Sequence, residues 1–344
     1  LMANANYQLA DKITFYPSYP LYAYTNGKFN YDNTASSSIS GMDMETLTSL
    51  LTLNPVKKHK FLSGTAGYLK YSLGSIEANH NFFMVLNHDF ATEGQTLTLE
   101  GSAALSPTPV VNDCTTATAW DGWSLVSFDD KHNEMTINFD TDDTESTIGS
   151  ILWGKSFTIG QNVDVNQTFS VKHGNKLTKS IGGSTLSTLK YGRSVRWNKL
   201  HSWELESAAS DQNDPPTPNT LSSYDVQAGA ARGGIRSWTV SFSLLQDSKM
   251  MPQNAMLSNK GFTQDTNSEY SVGADGTSLS NAQESDDFYN RVIKLCMGSH
   301  LPLVVNISES KNPDQWAVVR ISDYKITQTN PKFVSYKLTL EEQV

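Results

Sequence analysis

Two tryptophans and one histidine are the residues whose chemistry points most directly to a ligand. Trp120 and Trp123 flank Asp121-Gly122, and His88 follows the apolar run 82–86. Exposed tryptophan rings beside Asp or Asn stack on sugar rings, and the loops of β-sandwiches are suited to such contacts. The alternative is that at least one tryptophan packs in a core, as large aromatic side chains mostly do. Trp120, Trp123 and His88 are therefore candidate glycan contacts.

Carboxylates are densest at Asp140, Asp142, Asp143 and Glu145. Oxygen-rich loops bind calcium, but this spacing lacks the glycine turn and the final bidentate glutamate of an EF-hand loop. A solvated turn between strands is therefore the favoured interpretation, and a calcium site is the second.

Residues 149–156 have the sequence GSILWGKS, which matches the phosphate-binding pattern GxxxxGK[ST]. A phosphate loop requires a buried strand before it, small residues within it and a helix after it. Here acidic residues precede the pattern, Ile-Leu-Trp fills it, and alternating apolar residues follow it. The pattern therefore predicts a buried strand that ends at Gly154.

Catalytic motifs are missing from the sequence. It contains no GxSxG nucleophile elbow, no HExxH and no paired-cysteine motif, and its seven histidines have no metal-ligand spacing. Cys114 and Cys296 lie far apart in the chain, and we expect two free thiols. We expect no catalytic residue, cofactor or metal. An enzyme such as a glycan hydrolase is therefore less favoured than the two non-enzymatic functions given at the end of this section.

The length of the chain and its net charge further limit the classes of function that it can have. The 344 residues predict about two domains at ~150 residues each, and 26 Lys+Arg against 35 Asp+Glu give a net charge of −9. This acidic balance gives no electrostatic footprint for nucleic acid or an anionic membrane. The longest apolar run, 82–86, is too short to cross a bilayer, and the first residues predict no secretory signal.

Alternating apolar residues predict a mainly β, antiparallel protein. The longest alternations are Trp238, Val240, Phe242, Leu244 and Val334, Tyr336, Leu338, Leu340. Shorter examples are Leu97/Leu99, Ile137/Phe139, Phe157/Ile159, Val163/Val165, Phe169/Val171 and Val319/Ile321.

Helical spacing occurs in two segments. Residues 43–51 place Leu47, Leu50 and Leu51 on one side, and residues 286–297 are expected to form a helix packed on a sheet. The second segment has Ser285 as a possible cap, an apolar face of Phe288, Val292 and Leu295, and Gly298 after its last turn.

Two long stretches, 208–231 and 264–283, are rich in Pro, Ser, Asn, Gly and Asp. Such long irregular segments are usually functional or disordered, so they are either arms that reach a neighbouring subunit or surface loops. Pro215, Pro216, Tyr224 and Tyr270 are the candidates for an oligomer interface.

Five segments together resemble a galactose-binding-like jelly roll found in bacteriophage tail proteins: 81–90, 95–101, 123–126, 135–139 and 151–155. In that family a strand with the pattern hydrophobic-Leu-Gly-His-Asn opens the sandwich, and one with Leu-Gly-Lys closes it. Here Leu86-Asn87-His88-Asp89 departs from the first pattern at the glycine, and Trp153-Gly154-Lys155 approximates the second.

The rest of the chain resembles the β-barrel-plus-helix module shared by tail-tube and distal tail proteins. The resemblance rests on a hairpin at 168–206, strands at 237–242, 302–306 and 336–342, and the helix at 286–297. It implies a jelly roll at 63–155, a barrel at 156–344 and an N-terminal segment, 1–62, that packs with the barrel.

This resemblance implies a non-enzymatic virion protein, assembled in the host cytoplasm, that forms a homo-oligomeric ring at the distal end of a phage tail. A hexamer is one expected form. The ring would line the DNA channel without binding DNA specifically, and would connect the tube to tip, hub, fibre or other baseplate proteins. The alternative function is a carbohydrate-binding adhesin that attaches to host-surface glycans through the jelly roll, and both functions can hold together.

Overall fold

The computed structural model describes residues 10–25, 35–37, 44–54, 59–62, 67–72, 78–88, 90, 96–102, 114–117, 122–132, 134–139, 145–172, 175–189, 235–246, 250, 287–308, 316–330 and 333–343. Its helices are α1 (Tyr19–Thr25), α2 (Met44–Leu51) and a π-helix (Tyr289–Lys294). Its strands are β1 (Thr14–Pro17), β2 (Ala35–Ser37), β3 (His59–Leu62), β4 (Gly67–Ser72), β5 (Ala78–His88), β6 (Thr96–Ser102), β7 (Cys114–Ala117), β8 (Gly122–His132), β9 (Glu134–Phe139), β10 (Glu145–Ile148), β11 (Ser150–Gly154), β12 (Phe157–Thr158), β13 (Thr168–Lys172), β14 (Asn175–Lys179), β15 (Thr185–Leu189), β16 (Ile235–Gln246), β17 (Leu303–Asn306), β18 (Trp316–Asn330) and β19 (Phe333–Glu342). The predicted mainly β, antiparallel class is confirmed.

A seven-stranded antiparallel sheet has the order β12-β1-β17-β18-β19-β16-β13. Strand β19 buries every second residue, as its alternation predicts: Val334, Tyr336, Leu338 and Leu340 are each at most 3% exposed. The π-helix packs on this sheet, where Phe288 contacts Phe15 of β1 and Tyr336 of β19 at ring-centroid distances of 5.3 Å each.

A jelly-roll sandwich is built from the three-stranded sheet β11-β5-β8 and the five-stranded sheet β2-β4-β9-β6-β7. Tyr71 of β4 contacts Trp153 of β11 at 5.4 Å between ring centroids, so the sheets pack face to face. All five residues of β11 are buried, which confirms that the GxxxxGKS pattern is a buried strand ending at Gly154.

The core of the sandwich continues onto one side of the seven-stranded sheet, and a second core lies between that sheet and the π-helix. Tyr16 of β1 contacts Phe82 of β5 at 5.1 Å and Trp316 of β18 at 5.3 Å, between ring centroids. Burial raises the pKa of the Tyr16 phenol to about 12. The chain before residue 63 contributes to both parts, because β1 lies in the seven-stranded sheet while β2 and β3 pair with β4 and β10. The division of the chain at residues 62 and 155 stays a prediction.

The helix predicted near 286–297 is present, but as a short π-helix followed by turns. The predicted apolar face is buried, and Gly298 adopts φ +70° after the last turn as expected. Asp287 caps the start: Oδ1 accepts a hydrogen bond from the backbone N–H of Asn290 (2.9 Å), and Oδ2 accepts one from Asn290 Nδ2 (2.8 Å). Ser285 lies outside the described residues.

The predicted alternation in β16 is wrong beyond Phe242. A β-bulge between Phe242 and Leu245 gives Leu244 a φ of +58° and leaves it 57% exposed, while Leu245 is 4% exposed and takes the buried position. The strand predicted at Val163/Val165 is absent, because this connection folds irregularly and Val165 is 96% exposed. The predicted helix at 43–51 is confirmed as α2, with Leu50 and Leu51 fully buried.

Candidate functional site

Connections between strands leave the sandwich together at one end, which we call the loop end. In the antiparallel register, His88 at the end of β5 pairs with Gly122 at the start of β8. Phe139 at the end of β9 pairs with Leu97 near the start of β6 and with Gly67 at the start of β4. The segments that join strand ends there are 63–66, 89–95, 118–121 and 140–144.

His88 lies inside the sandwich at the loop end. Its side chain is buried, Nε2 lies 3.0 Å from Ser124 Oγ, and Nδ1 accepts a hydrogen bond from the backbone N–H of Phe90 (3.3 Å). An accepting Nδ1 leaves the proton of the neutral ring on Nε2, which can donate to Ser124. The ring also stacks on Phe90 at 4.3 Å, and Phe90 contacts Phe139 across the sandwich at 5.8 Å.

These contacts make His88 a packing residue that ties the end of β5 to the end of β9. The direct glycan contact expected of His88 has no support in this geometry, because the ring is only 2% exposed and faces other protein atoms. Both faces of β5 are covered here, because residues 82–88 are all buried, and a bulge in the strand immediately precedes His88.

Asn87 forms that bulge. Its φ is +61°, and the pairing of β5 with β8 shifts register between Leu86 and His88. Among residues other than glycine, Asn and Asp adopt positive φ most readily, so Asn can stand where the jelly-roll pattern has glycine. Gly149 packs directly against Asn87, since a Cβ built on Gly149 would lie 2.6 Å from Asn87 Cβ. The departure from the family pattern at position 87 therefore keeps the backbone conformation that glycine would allow.

The tryptophan connection belongs to the loop end as well. Trp123 pairs with Leu86 in the register of β5 and β8. The described part of the structure includes neither the Trp123 side chain nor Trp120. Residues 118–121 join the end of β7 to the start of β8, so Trp120 belongs to a loop-end connection. Their glycan contacts stay predictions.

The carboxylate connection leaves the sandwich at the same end. Residues 140–144 join Phe139, at the end of β9, to Glu145, at the start of β10. Glu145 pairs with Leu62, at the end of β3. The sequence alone gives no reason to group the tryptophans with the carboxylates. The register of the strands shows that the connections containing them start and finish at the same end of the sandwich. Asp140, Asp142 and Asp143 lie outside the described residues, and no described group of three His, Cys, Asp or Glu could hold a metal. The calcium site stays a prediction.

The other sequence candidates lie elsewhere. Cys296 is a free, buried thiol whose pKa is raised to about 12 by burial. The interface candidates Pro215, Pro216, Tyr224 and Tyr270 fall outside the described residues, as do the stretches 208–231 and 264–283. In the described part of the chain, no helix is long and apolar enough to cross a membrane.

No protein-family model matches the chain, and no curated protein matches it. Solved structures similar to part of it include the family 32 carbohydrate-binding module from C. perfringens NanJ in complex with galactose, with 14% identity, 41% of this chain, 98% of that chain and a TM-score of 0.30. Chitosan-binding module 1 of a Paenibacillus sp. IK-5 chitosanase/glucanase has 18% identity, 35% and 92% coverage and a TM-score of 0.27. A Streptococcus pneumoniae fucose binding module has 6% identity, 36% and 91% coverage and a TM-score of 0.29.

Each of these three structures is a carbohydrate-binding module. Nothing in the comparisons supports a phage tail protein. At such TM-scores and identities, the likeness carries no argument about what this chain binds.

Proposed function

We propose that this chain is a non-enzymatic attachment protein that binds glycans at the loop end of its sandwich. The observation that carries the proposal is the strand register, which brings the connections containing Trp120 and the carboxylates of 140–144 to one end. An indole ring stacks on the apolar face of a sugar, and carboxylates accept hydrogen bonds from its hydroxyl groups. The two kinds of group that recognise a sugar therefore come from neighbouring strand ends.

The opposite end of the sandwich is occupied by the protein itself. A Cβ on Gly154 at the end of β11 would lie 2.8 Å from the carbonyl oxygen of Pro17. Ser156 donates its backbone N–H to Asn81 Oδ1 (2.7 Å), while Asn81 Nδ2 donates to Ser156 Oγ (3.0 Å). The sandwich joins the seven-stranded sheet here, which leaves the loop end for a ligand.

The strand ends at the base of the proposed site pack against one another. His88, Phe90 and Phe139 link the end of the three-stranded sheet to the end of the five-stranded sheet. Strand ends held in this way lower the ordering cost of binding, which favours affinity for a small ligand.

A glycan array tests the proposal with the wild-type protein, Trp120→Ala and Asp142→Ala. Both variants should bind the recognised glycan about fivefold more weakly or worse, since a stacked aromatic ring or a hydrogen-bonding carboxylate contributes ~1 kcal/mol or more. Tyr24→Ala is the matched control, because Tyr24 is an exposed aromatic residue on α1 and belongs to none of the strands or connections of the loop end. Repeating the array with EDTA asks whether calcium takes part. A wild-type protein that binds no glycan, or a Trp120→Ala variant that binds as well as wild type, contradicts the proposal.

A subunit of a phage-tail ring is the second candidate function. The observation in its favour is the core shared by the sandwich and the seven-stranded sheet through Tyr16, Phe82 and Trp316, which makes a stiff two-part subunit. In this function copies of the chain form a closed ring in the virion, DNA passes through it, and the sandwich presents the loop end outward. Electron microscopy of tails decorated with an antibody against the chain tests it, and a tail without the label contradicts it.

A further inference from the structure

The hairpin formed by β14 and β15 projects from the body of the protein. Its strands pair with each other, and neither packs extensively on another described helix or strand. Of residues 178–185, all but the half-buried Ser180 are exposed, so both faces of the distal half are in contact with solvent. A two-stranded hairpin on its own is marginally stable in water, and a projecting one is therefore suited to dock on a partner.

The turn at the tip is well formed. The backbone N–H of Ser180 donates to the carbonyl of Ser184 (2.8 Å), that of Gly183 donates to the carbonyl of Ser180 (3.0 Å), and Gly183 has a φ of +83°. This is a short hairpin loop with glycine at its left-handed position. It holds Ile181 at the tip with a relative exposure of 110%, so an apolar β-branched side chain projects fully into solvent.

The hairpin lies in a basic segment of an acidic chain. Residues 165–203 contain seven Lys and Arg and no Asp or Glu, which leaves 19 basic and 35 acidic residues in the rest of the chain. The seven are Lys172, Lys176, Lys179, Lys190, Arg193, Arg196 and Lys199. The net charge of −9 therefore divides into about +7 on this segment and about −16 elsewhere.

We propose that the hairpin is an interaction arm that docks on an acidic surface of a second copy of this chain. Charge complementarity selects the second copy, because the hairpin of each molecule carries Lys176 and Lys179 and no carboxylate, whereas the chain outside the basic segment is acidic. Ile181 favours a protein partner over a nucleic acid, since a buried apolar anchor at the centre of an interface needs an apolar pocket to fill. The proposal uses no residue of the glycan site and does not depend on it.

Sedimentation velocity tests the proposal with the full chain. The wild-type protein should be oligomeric at low ionic strength and should dissociate at about 0.5 M NaCl, where screening shortens the Debye length to a few ångströms. Ile181→Asp should be monomeric at both salt concentrations. Val165→Asp is the matched control, because Val165 is also β-branched and 96% exposed but lies outside the hairpin, and it should behave as wild type.

A pair of charge variants separates the arm from net charge. Lys176→Glu combined with Lys179→Glu should abolish the oligomer. Lys325→Glu combined with Lys337→Glu makes the same change in net charge but should keep the oligomer, since those two lysines pair across β18 and β19, outside the hairpin. The proposal is overturned if the wild-type protein is monomeric at low salt, or if the hairpin variants associate as wild type does. It is also overturned if the wild-type protein stays monomeric and instead retards a random oligonucleotide in a gel, which would make the arm a nucleic-acid contact.

Discussion

Arg236 and Glu342 form a buried ion pair that joins β16 to β19. Arg236 Nη2 lies 2.8 Å from Glu342 Oε1, and the side chains are only 6% and 3% exposed. Arg236 also donates its backbone N–H to Glu342 Oε2 (2.9 Å) and Nη2 to the carbonyl of Trp316 on β18 (3.3 Å). One guanidinium group thus links three adjacent strands of the seven-stranded sheet.

Glu342→Gln should lower the free energy of unfolding by about 3–5 kcal/mol, because it leaves the buried guanidinium group without a counter-charge. Urea denaturation followed by circular dichroism measures the loss. Glu341→Gln is the neighbouring control: Glu341 pairs with Lys172 at 2.7 Å, but the two side chains are 38% and 61% exposed. The control should cost about 1 kcal/mol or less. Equal losses for the two variants would contradict the assignment of the buried pair as a structural link.

The sequence predicts what depends on neighbouring residues and misses what depends on register. Alternation identifies the buried residues of β19, and helical spacing finds α2, because each pattern repeats within its own element. The pairing of Arg236 with Glu342 joins residues 106 positions apart, and no local pattern marks it.

The same distinction holds at the loop end. Trp120 and Asp142 are recognisable by type, but only the pairing of β5, β8 and β9 shows that their connections leave the sandwich together. His88 is an attractive ligand contact in sequence because no local pattern shows that both faces of β5 are covered from Phe82 to His88.

The bulge in β16 reverses which of two neighbouring leucines should matter for stability: simple alternation would bury Leu244, whereas the structure buries Leu245. Leu245→Ala should lower the free energy of unfolding by about 2–4 kcal/mol, because the side chain is buried in the core of the seven-stranded sheet. Leu244→Ala should change it by at most about 0.5 kcal/mol, since its side chain is largely exposed. Thermal and urea unfolding of both variants check the order, and a larger loss for Leu244→Ala would mean that the strand continues without the bulge.

Gly154 tests the interpretation of the GxxxxGKS pattern as a strand. Gly154→Ala should cost about 1–3 kcal/mol, because the new methyl group would lie 2.8 Å from the Pro17 carbonyl oxygen and 3.4 Å from the Phe82 ring. Gly160→Ala, where nothing lies within 4 Å, is the matched control and should be neutral or slightly stabilising. Unfolding curves measure both, and added ATP should shift neither. A wild-type protein stabilised by ATP would restore the phosphate-loop alternative.

The thiol of Cys296 should resist modification in the folded protein and should make stability depend on alkaline pH. Burial raises its pKa from the usual value of 9.0 to about 12. The folded state therefore favours the protonated thiol, and this contribution is fully present below pH 9 and is lost as the pH rises from 9 to about 12. In a Cys114→Ser background, a thiol reagent at about pH 8 should label Cys296 only after denaturant is added, because reaction needs an exposed thiolate.

The alkaline part is measured by comparing the free energy of unfolding at about pH 8 and about pH 10, where the thiol should account for a loss of about 1 kcal/mol. Cys296→Ala in the same background is the control. It should be less stable than its parent at the lower pH, because a buried side chain is shortened, but it should lose about 1 kcal/mol less on going to the higher pH. The phenol of Tyr16, whose pKa burial raises from 10.0 to about 12, is common to both proteins and cancels in the difference. Rapid labelling of the folded parent, or identical pH dependence of the two proteins, would show that the thiol is accessible to solvent.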